Sequence, residues 1–160
     1  MPLNSQQLQQ FIEAHHIAAE IIYLPGTTLT VTEAAAALDV VPEQIIKTVL
    51  FLADGEPVLA ISCGTARIAW KRLADYLGVS RRRLKTGTAV QVQSITGYVV
   101  GAVPPFGHVQ TLRTVVDTAV YDQSILYGGG GEINALLRLT PAELRRIVGA
   151  ETADLAMRET

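Results

Sequence analysis

The stretch KTVLFLADGEPVLAISC, residues 47–63, decides the fold. Two apolar runs flank Asp54-Gly55, a dipeptide that tolerates the positive φ angles of a tight hairpin turn. The first run is apolar at every position from Val49 to Ala53. A strand with one wet face would alternate, so an uninterrupted apolar strand is covered on both faces. The hairpin is therefore predicted near the centre of a sheet.

Upstream, Leu8, Phe11 and Ile12 fall on one face of a helix predicted over Ser5–His16, with Ser5 as its cap. AAEIIYL (18–24) reads as a strand ended by Pro25-Gly26. Thr30 caps a helix rich in alanine, the best helix former, and Pro42 starts a short helical turn. Downstream, residues 67–79 predict a helix with Ile68, Leu73, Tyr76 and Leu77 inward and Gly78 at its end. A short helix closed by Gly97 follows, then strands at Tyr98–Val100, Arg113–Val116, Ser124–Tyr127 and 133–139. Thr140, Pro141 and Glu143 form a capping-box pattern before a last helix. The order is mixed and strands outnumber helices, which predicts an α/β domain around a mixed, curled sheet.

The bulk numbers agree with one domain over residues 1–160. Hydrophobic residues make up 49% and charged residues 18%, which excludes a disordered chain. No apolar run reaches the ~18 residues of a membrane span. The N-terminus lacks a secretory pattern and Cys63 has no second cysteine to pair with, so a cytoplasmic setting is expected. A net charge of −2 argues against non-specific binding to duplex DNA. Locally, SRRRLK (80–85) is either a solvated turn or a phosphate-contacting patch.

No familiar catalytic set is present. No Cys and His residues stand at metal-ligand spacing. Gly128–Gly131 lacks the lysine and hydroxyl residue of a phosphate-binding loop. Cys63 is either an inert buried thiol or a nucleophile served by His108. Lys47 starts an apolar strand, where it either snorkels to solvent or aims a cation into a pocket. GYVVGAVPPFGH (97–108) offers a rigid loop with few side chains. Its prolines fix the backbone and its glycines expose main-chain groups, so it is either a tight turn or a main-chain ligand cradle.

Taken in order, IIKTVLF (45–51), GYVVGAVPPFGH, VVD (115–117), the glycine run and LTPAELRRIVGA (139–150) resemble the YbaK/EbsC family. These proteins are freestanding relatives of the editing domain inserted in bacterial prolyl-tRNA synthetase. The resemblance implies a mixed α/β fold with a curled, barrel-like sheet flanked by helices. It implies a deacylase that hydrolyses mischarged aminoacyl-tRNA, releasing Ala, Cys, Ser or Thr, chiefly from proline tRNA, without a metal or organic cofactor. The implied partners are the aminoacylated tRNA 3′ end and prolyl-tRNA synthetase, with no membrane or DNA partner. The alternative is a non-catalytic module that binds aminoacyl-adenylate or the tRNA end.

By position, the resemblance makes Lys47 the essential cation and Gly101 the residue that orients the attacking water or the terminal ribose hydroxyl. Ala102, Val103, Pro104 and Pro105 would contact the aminoacyl group, with Thr48, Asp117 and Gly130 in substrate-binding support. Leu29, Val31, Ile61, Val103 and Leu126 are candidates for the pocket wall. Thr48 stands where some alanine-preferring relatives carry asparagine. The four-glycine run is longer than the family's usual single glycine, which implies a looser loop.

Overall fold

The computed structural model describes residues 1–26 and 30–157. The predicted hairpin forms as strands β2 (Ile46–Ala53) and β3 (Glu56–Cys63), paired from Ile46↔Cys63 to Ala53↔Glu56. Asp54 and Gly55 take φ angles of 52° and 85°, as a two-residue turn that follows the strand twist requires. In addition β1 spans Ala19–Tyr23 and β4 Arg67–Ile68, while β5 covers Leu84–Thr86 and β6 Arg113–Asp117. The later strands are β7 (Leu126–Gly129), β8 (Ala135–Leu139), β9 (Thr152–Ala153) and β10 (Ala156–Met157). The hairpin sits inside a five-stranded sheet of order β5-β2-β3-β6-β9, in which β6 runs parallel to β3 and to β9. A second sheet, β1-β8-β7, is antiparallel, and β4 pairs with β10. The two larger sheets meet at a bridge between Ile45 and Tyr127. The five-stranded sheet is mixed, as expected, and among the described residues the sheets do not close into a barrel.

The helices are α1 (Ser5–Ala14), α2 (Val31–Leu38), α3 (Trp70–Leu77), α4 (Ala89–Thr96) and α5 (Pro141–Val148). Both faces of the hairpin are covered. Leu50 and Leu59 pack with Val92 of α4, and Phe51 packs with Leu73 of α3 on the other side. Trp70 meets Phe51 edge-on at 5.4 Å, and the Arg81 guanidinium lies 4.1 Å above the Trp70 ring.

Several local expectations are corrected. Asn4, not Ser5, caps α1, because the Ser5 hydroxyl is engaged by Glu132 and Tyr23. Tyr98–Val100 is not a strand: Gly97 and Gly101 have φ of 92° and 90°, and Ala102 N–H turns back to the Val99 carbonyl at 3.1 Å. Tyr98 is instead a buried post whose hydroxyl donates to the Gly107 carbonyl, and burial pushes its pKa up to about 12. Tyr76 is exposed rather than inward, and Ala74 takes the buried place beside Leu73. Thr140 caps α5, but Glu143 reaches Ala18 N–H and Arg146 instead of closing the box. Arg146 and then Ala18 hold the Glu143 carboxyl at a pKa of about 2. The strand expected at Ser124–Tyr127 lies two residues later, running into the glycines.

Candidate functional site

Strand β2 carries Lys47 and Thr48 to the rim of a cavity of about 220 Å³. Loop residues Gly101 and Val103 line the same cavity, as do Thr86 and Gly87 at the end of β5, Gly128 and Gly129 of β7, and Thr30 and Val31 at the start of α2. Thus the cation and the bare loop, 54 residues apart in Lys47 and Gly101, share one space. Lys47 is exposed, and among the described residues no carboxylate pairs with it. An ammonium without an internal counter-ion is available to an anionic ligand.

The loop is held rigidly from beneath. Ala102, Pro104 and Pro105 are buried and do not line the cavity, so they form the loop's underside. Gly131 N–H donates to the Ala102 carbonyl at 3.0 Å. His108 sits 2.8 Å from the Pro104 carbonyl through Nε2, which must donate because a carbonyl only accepts. Burial lowers the His108 pKa, and the bond to Pro104 opposes that shift.

The glycine run is tightly packed rather than loose. A Cβ on Gly129 would lie 2.2 Å from the Val103 carbonyl oxygen, and one on Gly130 would lie 2.6 Å from the Ala135 carbonyl carbon. These glycines let β7 approach the loop backbone and the turn into β8, a close approach that no other residue permits. Gly130 therefore lies in the frame, outside the cavity lining. Asp117 is also away from the cavity. It is buried, and its carboxylate accepts from the N–H groups of Ala119, Leu155 and Ala156.

Of the expected wall residues, Val31 and Val103 line the cavity, Ile61 and Leu126 are in the core beside it, and Leu29 lies outside the described residues. Cys63 is buried at the end of β3, and neither it nor His108 lines the cavity. Thr86, Gly87 and Gly129 are site residues that sequence reading missed. Only the glycine content pointed to Gly129, and Thr86-Gly87 formed no motif. Arg81, Arg82 and Lys85 are exposed on the β5 side and lead to Thr86 at the cavity mouth.

The family model for the aminoacyl-tRNA editing domain matches residues 26–147. The chain is 32% identical over 126 residues to the proline–tRNA ligase of Streptococcus equi subsp. zooepidemicus, covering 79% of this chain and 20% of that protein. With the proline–tRNA ligase of Nitratidesulfovibrio vulgaris it shares 34% over 130 residues, or 81% of this chain and 19% of that one. The chain thus spans about a fifth of the length of these relatives. The fold is similar to a solved protein proposed as a trans-editing enzyme for prolyl tRNA synthetase. That match has a TM-score of 0.88, 29% identity, and coverage of 96% and 97% of the two chains. It is similar also to the hypothetical protein APE2540, with a TM-score of 0.86, 32% identity, and coverage of 94% and 99%. Matching sequence over three quarters of the chain and matching fold over nearly all of it have one source: this chain belongs to the aminoacyl-tRNA editing domain family.

Proposed function

We propose that the protein hydrolyses the ester of mischarged aminoacyl-tRNA, removing a small amino acid of the Ala, Cys, Ser or Thr class from proline tRNA. The observation that carries this reading is the one cavity lined both by Lys47, which pairs with no carboxylate among the described residues, and by the main chain of Gly101. The substrate bond is already activated, so no strong nucleophile is needed. Water adds to the ester carbonyl carbon, the carbon–oxygen bond to the ribose breaks, and the ribose oxygen takes a proton. The products are the free amino acid and an uncharged tRNA end.

Lys47 holds the 3′-terminal phosphate or ribose, and Gly101 positions the water through its backbone. Orientation and charge stabilisation of this kind account for large rate factors without a cofactor. Thr48 and Val103 face the aminoacyl group, while Ala102, Pro104, Pro105, Asp117 and Gly130 keep the loop and strands in register. A cavity of about 220 Å³ suits a small side chain. Arg81, Arg82 and Lys85 supply phosphate contacts for the acceptor end.

The test is a deacylation panel on Ala-, Cys-, Ser- and Thr-tRNA(Pro). Wild type is expected to clear at least one of them. Lys47→Ala is expected to lose ~10²–10³-fold in kcat, with an unchanged Tm because the side chain is exposed and forms no ion pair among the described residues. If the purified wild type leaves all four intact, the reading is wrong.

A further inference from the structure

The cavity coincides with a gap in the strand ladder. Gly64 N–H donates to the Ile45 carbonyl at 2.9 Å, and Lys47 and Val49 lie opposite Ser62 and Ala60. Antiparallel pairs exchange hydrogen bonds at alternate residues. Hence Ile45, Lys47, Val49 and Phe51 bond to β3, whereas Ile46, Thr48 and Leu50 turn their main-chain groups to the outer edge of β2. That edge is covered at its start by the Ile45–Tyr127 bridge. It is covered again where Gly87 N–H donates to the Leu50 carbonyl at 2.9 Å and β5 begins to pair at Phe51. Between these points no strand among the described residues lies opposite Thr48.

The other side of the gap follows the same logic. Gly130 N–H donates to the Ala135 carbonyl at 3.1 Å, and Gly128 lies opposite Leu137. Gly129 therefore turns its N–H and carbonyl away from β8, as Tyr127 does at the bridge. Thr48 and Gly129 both line the cavity, on β2 and β7 respectively. The Thr48 hydroxyl is also buried and has no hydrogen-bond partner among the described residues.

We infer that an α-aminoacyl group fills this missing rung, pairing with the main chain of Thr48 as a single residue of an antiparallel strand. Thr48 N–H donates to the ester carbonyl oxygen, and the Thr48 carbonyl accepts from the substrate's α-ammonium. Both bonds of an antiparallel pair are made to one residue, so the spacing of amino and carbonyl groups in any α-amino acid meets the requirement. The site then selects the α-amino group itself, and the side chain is sorted separately by the cavity walls. This inference rests on the aminoacyl ester being the ligand, as proposed above.

The experiment measures binding rather than turnover. Two non-hydrolysable analogues are compared, 3′-alanylamido- and 3′-propionylamido-3′-deoxyadenosine, which differ in the α-amino group. The alanyl compound is expected to bind at least about tenfold more tightly, because the propionyl compound leaves a carbonyl unpaired. Replacing the Thr48 amide by an ester, through the α-hydroxy analogue of threonine, is expected to weaken alanyl binding about tenfold and to lower Tm only slightly, through the weaker acceptor it leaves at the Lys47 carbonyl. The same replacement at Val49, whose N–H bonds to β3, deletes a donor from the ladder and is expected to lower Tm more.

Equal binding of the two analogues, binding of neither, or an ester at position 48 without effect on affinity overturns the inference; so does a Tm loss at 48 equal to that at 49. If the alanyl preference and the ester effect appear but aminoacyl-tRNA stays intact, the rung stands and the deacylase reading falls. If deacylation proceeds while the analogues bind equally, the reverse holds.

Discussion

Gly129→Ala isolates the contact that sets the cavity wall. The new methyl carbon would lie 2.2 Å from the Val103 carbonyl oxygen, 2.8 Å from the Val103 carbonyl carbon and 3.2 Å from the Ala102 oxygen. Carbon–oxygen contacts normally begin near ~3.3 Å, so loop and strand must separate by about 1 Å. All three neighbours are backbone atoms, and the loop they belong to is fixed by Gly131 and His108. No side chain can rotate aside to absorb the strain. Overpacking of this kind costs ~1–3 kcal/mol. At roughly 2–4 °C per kcal/mol for a chain of this size, the midpoint corresponds to about 4–8 °C in Tm. The same displacement moves Val103 and Gly101 relative to Lys47, and a misplacement of ~1 Å costs about 10²-fold in rate. Thermal denaturation and kcat/KM for deacylation measure the two effects. Gly128→Ala is the control, because its Cβ would meet only side-chain atoms, Ile46 Cγ1 at 2.9 Å and Pro105 Cδ at 3.6 Å. A Gly129→Ala protein with wild-type Tm and rate would refute the packing argument.

Three further outcomes are expected. Asp117→Asn leaves one amide oxygen as acceptor and sets an NH2 donor against the remaining N–H groups of Ala119, Leu155 and Ala156, and should cost ~1–3 kcal/mol in denaturant unfolding; an unchanged midpoint contradicts the role assigned to it. Burial lowers the His108 pKa below its ordinary 6.5, so on acidification the unfolded chain takes up the proton first. Its contribution to stability is complete above 6.5 and is lost as pH falls toward the folded value; His108→Gln should remove that part of the Tm–pH profile. Thr48→Val deletes a buried hydroxyl that has no partner among the described residues, so Tm should hold or rise by up to a few degrees. A clear fall in Tm would mean that the hydroxyl is bonded within the fold.

Sequence alone determined the elements whose cause is local. Asp54-Gly55 announces its hairpin because positive φ and flanking apolar runs are properties of adjacent residues. Thr30, Thr140, Gly78 and Gly97 mark helix ends for the same reason. Lys47 and the Gly101–Pro105 loop were legible as an ordered pair of motifs. Local pattern misled where a distant partner takes over: Ser5 loses its capping role to Asn4 because Glu132 claims its hydroxyl, and Tyr98–Val100 has no strand to pair with.

Tertiary structure alone decided where the cavity lies and what the glycines are for. Gly129 must be glycine because the Val103 carbonyl arrives from another part of the chain, which leaves no trace in the residues beside it. Thr48 faces an open edge only because β7 diverges from β2 after the Ile45–Tyr127 bridge and β5 starts pairing at Phe51. Turns and caps are set by neighbours in sequence, whereas a gap between strands is defined by where three separate segments stop touching.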